Sequence, residues 1–473
     1  MPVTLWKLQH DRGRAAPEGS YLPMTKPIAA IILAAGSGTR MKSDTHKVLH
    51  PIAGRPMLLH LTDAFEAAGA AEKIVVVGAR REQVEAAVAS LGVKIAHQAE
   101  QLGTAHATLM AREALAGFDG TVIVAFGDTP FLSAQTIAAM AARLDAADAP
   151  RVAVLGFRPD DAKAYGRIIA DADGAIAKMV EYKDATPEER AVDLCNSGVT
   201  AVRAADLWPL LDRVGNDNAA GEYYLPDIVM LALADGDRAV VVETDADEVI
   251  GINSRAELAY AEDRWQAARR AQAMADGATL IAPETVWFAH DTVLGRDVTV
   301  EPNVVFGPGV TVADGVTIRA FCHIEGATIA TGAEVGPYAR LRPGTVLGEK
   351  SKIGNFVETK KAVLGKGAKA NHLSYLGDAQ VGEGANIGAG TITCNYDGFF
   401  KYPTLIGAGA FVGSNSALVA PVNIGEGAIV GAGSVVTKDV EADALVLVRP
   451  EQSARAGWAK RFRAAMAARK AAK

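Results

Sequence analysis

"IGAGAFVGSNSALVAPVNIGEGAIVGAGSVV", residues 406–436, is the stretch that decides the fold. Ile406, Val412, Leu418, Ile424, Val430 and Val436 recur every six residues without a miss. Glycine follows several of them, and a small or β-branched residue stands four places on: Ala410, Ser416, Val422, Ala428 and Ser434. A six-residue period signals a parallel β-helix with one flat face per hexapeptide. Three faces close a triangular coil, inward aliphatic side chains stack on themselves, and glycine permits the turns between faces.

The same period runs upstream. Leu294, Val300, Phe306, Val312, Ile318 and Ile324 keep it, as do Ile329, Val335, Leu341, Leu347 and Ile353 after a one-residue slip. The coil is therefore expected over 278–448. Two breaks interrupt it: eleven residues between Ile353 and Leu364, and a longer gap between Ile387 and Ile406 that holds "TCNYDGFFKYP". Insertions in a regular coil map to functional loops. Both breaks flank "NHLSYLGD", residues 371–378, where His372 and Tyr375 stand out from an inert lattice. A lone histidine in a repeat is usually solvated and idle. Here Arg342, Glu358, Lys360, Asn386, Asn395 and Tyr396 fall at repeat-related positions, able to line one groove with it.

N-terminal to the coil, "SRAELAYAEDRWQAARRAQAMADG" predicts one long helix, a linker arm over 254–277. Ser254 and Glu257 form a capping box, Leu258, Ala261, Trp265 and Ala268 recur at helical spacing, and Gly277 closes the end. Over 27–253, short Val/Ile-rich runs ("IAAIIL", "KIVVVG", "TVIVAFGD", "RVAVLGF") alternate with Ala-rich amphipathic segments. That alternation implies an α/β Rossmann-like sheet covered on both faces. Residues 1–26 carry no secretory pattern; they read either as a disordered extension or as lying upstream of a start at Met24. Residues 449–473 form a basic tail, expected to be helical.

The chain has 473 residues, too long for one core, and a formal net charge of -7, which gives no support to a nucleic-acid binder. No apolar run is long enough to span a membrane. Three cysteines, Cys195, Cys322 and Cys394, lie far apart without metal or redox spacing, which points to reduced thiols and a cytoplasmic setting.

The chemistry of the first zone starts at "IILAAGSGTRM". A dinucleotide fingerprint fails because Met41 stands where the third glycine belongs, and a Walker A loop fails for want of G-K-[ST]. A loop whose backbone N–H groups cradle phosphates, with Arg40 and Lys47 to neutralise them, fits better than a plain turn. Gln98 can read a pyrimidine edge, with Gly103 and Thr104 allowing close approach. Asp128 ends a strand, where α/β sheets bind ligands, and with Asn253 offers hard oxygens suited to Mg²⁺. Gly166, Glu181 and Asn196 are small and polar groups fit for a sugar.

These motifs, in this order, resemble the bifunctional bacterial enzymes of UDP-N-acetylglucosamine synthesis, from Lys26 to nearly the end of the chain and including "GEYYLPDIV", residues 221–229. "LRPGT", "NFVETKK", "KANHLSYLGD", "NIGAGTITCNYDG" and "VGSNS" resemble the acetyltransferase half of the same family. The resemblance implies a left-handed coil, assembly as a homotrimer with the acetyl site between neighbouring coils, and two reactions feeding peptidoglycan and lipid A synthesis. Acetyl-CoA first acetylates glucosamine-1-phosphate; uridylyl then passes from UTP to N-acetylglucosamine-1-phosphate with release of pyrophosphate.

The resemblance also implies residue roles. Leu33, Ala34, Ala35, Gly36, Lys47, Gln98, Gly103, Thr104, Gly166, Glu181, Asn196 and Asn253 bind the nucleotide and its sugar. Arg40 and Lys47 stabilise the transition state, and Asp128 and Asn253 hold Mg²⁺. In the coil His372 is the base, oriented by Glu358. Arg342, Lys360, Tyr375 and Asn386 bind the sugar phosphate, and Ala389, Asn395, Tyr396, Ser414, Ala432 and Arg449 line the acetyl-CoA side. The chain departs from the family at Phe126, where tyrosine is usual and a hydroxyl is lost, and at Ala105, where glycine is usual. An alternative is another sugar-1-phosphate nucleotidyltransferase whose coil only regulates; a second is a scaffold that has lost its chemistry. His372, Lys47, Asp128 and Asn253 speak against both.

Overall fold

The computed structural model describes residues 26–36, 38–162, 165–218 and 220–472. The expectation for an N-terminal extension and a start at Met24 falls on residues 1–25, outside the described residues. By internal packing the chain forms two units, one of them centred on Pro56–Glu257 and the other on Leu258–Lys473 with the short segment Pro51–Arg55.

The first unit is a nine-stranded sheet. Its strands are β1 (Ile28–Ala34), β2 (Ala70–Val77), β3 (Lys94–His97), β4 (Thr121–Phe126), β5 (Val152–Phe157), β6 (Arg167–Ala170), β7 (Ile176–Val180), β8 (Cys195–Arg203) and β9 (Ala239–Thr244). The order is β9-β5-β8-β4-β1-β2-β3, with the β6–β7 hairpin attached to β8. β1 pairs parallel with β2 and β4, while β8 runs antiparallel to β4 and β5. Alternate residues of β1 enter opposite cores: Ala29, Ile31 and Leu33 one, Ile28, Ala30, Ile32 and Ala34 the other. Burial on both faces is why these strands read as unbroken apolar runs. Each fully buried Ile contributes about 1.5–3 kcal/mol, which fixes β1 as a rigid central strand. The loop after β1 and Asp128 after β4 thus leave the same carboxyl edge of the sheet.

The second unit is a parallel β-helix with three sheets of 10, 8 and 8 strands. Ile318 pairs with Val335, and Val335 with Ile353, so a full turn takes seventeen or eighteen residues. The expected aliphatic stack is the core. The first break is not an insertion, however. Thr359, fully buried, takes the inward slot between Ile353 and Leu364, with its Oγ1 2.9 Å from that of Thr345. Thr393 does the same in the second break; its hydroxyl meets both the N–H (2.8 Å) and the carbonyl (3.1 Å) of Gly377. Threonine fits because an inward hydroxyl with partners escapes the cost of a buried unmet group. Only after Thr393 does the chain loop out. The loop closes through Tyr402 N–H to the Asn395 carbonyl (2.9 Å), and Asp397 Oδ1 accepts from the N–H groups of Phe399 and Phe400.

The segment expected as a helical linker arm is a helix that packs with the coil. Helix Arg255–Ala275 buries Ala261, Gln266, Arg270 and Ala273, whereas Ala268 is exposed. The Gln266 amide donates to the Phe288 carbonyl (2.7 Å) and accepts from the Phe288 N–H (2.8 Å), latching the helix to the first turn. Gly277, at φ +103, ends it as expected. The tail does form a helix, Trp458–Ala471, exposed along its whole length. Among the described residues no helix is long and apolar enough to cross a membrane.

Candidate active sites

In the first unit a cavity of about 230 Å³ is lined by Leu33, Ala34, Ala35, Gly36, His46, Lys47, Gln98, Gly103, Thr104, Phe126 and Asp128, among others. Lys47 is its charged centre. Its ammonium contacts the Asp128 carboxylate closely and donates to Asn253 Oδ1 at 2.9 Å, so two oxygens from distant parts of the chain converge on one cationic point. Asn253 is fixed from behind. Its N–H donates to Glu257 (2.7 Å), while Glu257 N–H donates to Ser254 Oγ (3.3 Å). The expected capping box thus forms with its carboxylate one residue displaced, onto Asn253.

Gln98 is buried, and its amide nitrogen is committed to the Gly103 carbonyl (3.1 Å) and His106 Nδ1 (3.0 Å). Its Oε1 is the atom left for a ligand donor. Gly103 lies at φ +117, and a Cβ there would collide with the Tyr223 backbone, 2.7 Å from its nitrogen. Thr104 Oγ1 accepts from the Leu225 N–H at 2.9 Å. "QLGTA" and "GEYYLP" are therefore pinned together, and Gly103 and Thr104 build the wall as well as face the cavity. Arg40 is exposed on the turn Thr39–Met41 and is not among the cavity's lining residues, so the structure does not bring it to Lys47.

A smaller pocket of about 30 Å³ gathers Gly166, Arg167, Glu181, Asn196, Pro226 and Asp227, with others. A Cβ on Gly166 would stand 3.2 Å from Glu181 Oε1, so glycine makes room for the carboxyl. Burial, then the charges of Asp227 and Asp184, pushes Glu181 above the ordinary carboxylate range; burial and Asp184 do the same to Asp227. Asp227 was not foreseen, although it lies in the quoted "GEYYLPDIV". Asn196 Oδ1 accepts from Gly198 N–H at 2.8 Å. A Cβ on Gly198 would meet the Phe126 ring 2.5 Å away, so glycine makes room for the ring.

In the coil, His372 ends one strand directly beside Asn355 in the preceding turn. Its Nδ1 is 2.6 Å from Asn355 Oδ1. The ring's partner is therefore Asn355 and not Glu358, which instead accepts from Arg342 at 2.9 Å. The reason is geometric: His372 and Asn355 share one sheet, while Glu358, Lys360 and Tyr375 belong to strands of the next face and Arg342 directly follows one. Asn386 belongs to the His372 sheet, paired with Lys369. One chain thus spreads the expected groove over two faces. Lys401, in the inserted loop, sits against Lys360; that contact first, then burial and the charges of Lys401 and Arg342, lowers the Lys360 pKa. Lys360, Lys401 and Arg342 thus cluster with the carboxylates Glu358 and Asp378; Lys401 was missed although a basic residue inside the loop was visible in the sequence. Asn395 is buried and donates to Asp378 (2.5 Å), while Tyr396 is exposed.

Of the residues expected on the acetyl-CoA side, Ala389, Ser414, Ala432 and Arg449 stack in one column above His372, whereas Asn395 and Tyr396 lie at the base of the inserted loop. Gly390 N–H reaches the His372 carbonyl (3.4 Å), Asn415 N–H the Ala389 carbonyl (2.7 Å), and Gly433 N–H the Ser414 carbonyl (2.8 Å). Arg449 closes the column on the Ala432 carbonyl (2.7 Å). A groove of about 510 Å³ beside His372 is lined by Arg319, Glu334, Lys352, Lys369 and Asn371, among others.

An α/β sheet with a basic glycine-rich loop, joined to a hexapeptide coil that carries a tethered histidine, defines a nucleotidyltransferase fused to a hexapeptide-repeat transferase. Residues 30–181 match the MobA-like NTP transferase domain family, and residues 291–326 and 403–438 match the bacterial transferase hexapeptide family. Bifunctional protein GlmU of Sphingopyxis alaskensis is 66% identical over 95% of this chain and 99% of its own. That of Rhizorhabdus wittichii is 69% identical over the same shares, and that of Zymomonas mobilis 58% identical over 93% and 98%. The chain belongs to the family of bifunctional GlmU proteins. It carries both transfers, acetyl from acetyl-CoA to glucosamine-1-phosphate and uridylyl from UTP to the acetylated product, and its coil is the left-handed β-helix of hexapeptide repeats.

Proposed function

We propose that the two transfers are carried by the residues gathered above, each in its own unit. In the first unit the backbone of Leu33–Gly36 receives the nucleotide, Gln98 Oε1 meets the N3–H of uracil, and Lys47 neutralises the phosphates. Gly166, Glu181 and Asn196 hold the sugar. The sugar phosphate attacks the α-phosphorus and pyrophosphate leaves; positioning and charge neutralisation supply most of the rate. Asp128 and Asn253 fit Mg²⁺, because their hard oxygens already converge on the Lys47 ammonium. When bound, Mg²⁺ would neutralise charge on the phosphates. Arg40, exposed on its turn, acts only if the loop brings it in.

In the coil, Asn355 Oδ1 accepts from Nδ1–H of His372 and leaves Nε2 to take the proton of the sugar's 2-amine. The amine attacks the thioester carbonyl, and CoA thiolate leaves. Arg342, Lys360, Tyr375 and Asn386 receive the sugar phosphate, and Lys401 joins them. Ala389, Asn395, Tyr396, Ser414, Ala432 and Arg449 line the CoA side. Glu358 serves Arg342.

We further infer a homotrimer. Phe321, Tyr338, Phe356 and Leu373 form an exposed ladder along one corner, at φ between +50° and +62°. The rings stack at 4.8 and 5.2 Å. Bulky residues rarely take that conformation, and exposed apolar patches mark contacts. A neighbouring coil would supply the second wall that one chain lacks. The three unpaired cysteines favour a cytoplasmic setting.

The observation that carries this reading is the tethered His372 beside the Ala389–Ser414–Ala432 column. The test follows pyrophosphate release from UTP and glucosamine-1-phosphate with Mg²⁺. Release is expected only when acetyl-CoA is present. Release without it would overturn the order of the two sites.

A further inference from the structure

Arg255 opens the helix Arg255–Ala275, two residues after Asn253, and no role above uses it. It lines neither pocket of the first unit described above. The residue is exposed, yet its guanidinium turns back onto the segment that carries Lys47. Nε donates to the Met41 carbonyl at 3.3 Å, and Nη1 to His50 Nδ1 at 3.2 Å. Arginine can only donate, so Nδ1 accepts. Burial, then the Arg255 charge, lowers the His50 pKa and keeps the ring neutral. Met41 and His50 are both buried. Met41 ends the turn Thr39–Met41, and His50 follows the turn Lys47–Leu49. One planar fork therefore holds both ends of the segment Met41–His50.

The middle of that segment is tied elsewhere. Arg80 Nη1 donates to the Ser43 carbonyl (2.8 Å), and the Gln83 amide donates to the Asp44 carbonyl (3.0 Å) and accepts from the His46 N–H (2.8 Å). Those bonds reach neither end. Lys47 bears a long, flexible side chain, and its ammonium meets Asp128 and Asn253 only from a backbone held in place. Asn253 and Arg255 share one short stretch, so the residues that offer Lys47 an oxygen also set where its segment closes. We propose that Arg255 is a positioning residue for uridylyl transfer: its two-point clamp on Met41 and His50 fixes Lys47 against Asp128 and Asn253. Arg255 stands outside the cavity and acts through Lys47, by alignment, on which rates depend steeply. The inference rests on Lys47 being the cation of the UTP site.

A double-mutant cycle on the full-length chain tests it. Pyrophosphate release from UTP and N-acetylglucosamine-1-phosphate with Mg²⁺ gives kcat and KM, and Tm reports folding. Arg255→Ala is expected to lower kcat about tenfold, with KM for UTP within about threefold of wild type. Beside Lys47→Met, the same substitution is expected to change kcat by less than about twofold, since nothing is left to position. Arg255→Lys keeps the charge but offers one nitrogen where the fork offers two, and a loss of about threefold is expected. Wild-type kcat in Arg255→Ala or in Arg255→Lys, or the same fold-loss with and without Lys47, each overturn the proposal. If Arg255→Ala does not fold, Arg255→Lys takes its place in the cycle: a loss that disappears beside Lys47→Met supports the clamp, and an undiminished loss overturns it. Wild-type uridylyl transfer in Lys47→Met alone would instead sink the reading of the UTP site beneath it.

Discussion

Replacing Asn355 by leucine tests what holds the acetyl-transfer base. The amide oxygen lies 2.6 Å from His372 Nδ1, on paired residues of adjacent turns. An amide oxygen only accepts, so the bond places the proton on Nδ1 and leaves Nε2 basic. Leucine has nearly the same size and no acceptor. His372 is exposed, so water replaces the lost partner and the net loss is about 1 kcal/mol, near fivefold in kcat. His372→Ala removes the base itself and should cost about 10²–10⁴-fold. Glu358→Gln weakens the Arg342 pair and should appear in KM for glucosamine-1-phosphate. The assay is release of the CoA thiol at saturating acetyl-CoA, with uridylyl transfer as the control. Normal kcat in Asn355→Leu together with a large fall in kcat for Glu358→Gln would refute the reasoning and return the orienting role to Glu358.

Lys47→Met should lower kcat/KM for UTP by about 10²–10³-fold and leave acetyl transfer untouched, because only the first unit loses its cation; a parallel loss of both activities contradicts it. Chelation with EDTA should stop pyrophosphate release and spare CoA release, because the proposed acetyl transfer rests on His372 and only the proposed uridylyl transfer on Mg²⁺. Glu181, raised by burial, Asp227 and Asp184, binds more protons folded than unfolded between about pH 4.3 and its raised value. Stability therefore falls as pH rises through that window, so Glu181→Gln should raise Tm at about pH 7.5 and give no gain near pH 4; equal gains at both would count against the shift. Gln266→Leu strands the Phe288 N–H and carbonyl, each worth about 1–3 kcal/mol when buried and unmet, so denaturant unfolding should show a loss of about 2–5 kcal/mol; a loss under about 1 kcal/mol would mean the latch is replaced by other contacts.

The coil was legible because its inward slots are almost all aliphatic. The reading failed where the slot holds a residue that can satisfy itself. Thr359 and Thr393 are as inward as Ile353, but their hydroxyls are matched to Thr345 and Gly377, so the letter changes while the geometry does not. The helix after the first unit was legible, but not which of its side chains are buried, for a related reason. Gln266 and Arg270 are buried and Ala268 is not, because backbone carbonyls of the coil's first turn receive their N–H groups. Polarity predicts exposure only when no such partner waits across the interface. Asn355 could have been found by coil arithmetic, since it stands one turn before His372.

The corner beside His372 joins these threads. Eight successive turns of the coil bend there at positive φ. Asn303, Gly390, Asn415 and Gly433 hold the outlying turns, and Phe321, Tyr338, Phe356 and Leu373 the central ones. Asparagine and glycine adopt the bend at little cost, whereas a bulky residue incurs on the order of 1 kcal/mol or more each time. The strain is concentrated on the turns that lead to the base, where a smaller residue would have served the coil equally well. Asn355 and His372 immediately precede two of these strained residues, Phe356 and Leu373. A side chain that is costly for the isolated coil, exposed, and next to the tethered imidazole is what the proposed homotrimer would require, with a neighbouring coil covering it.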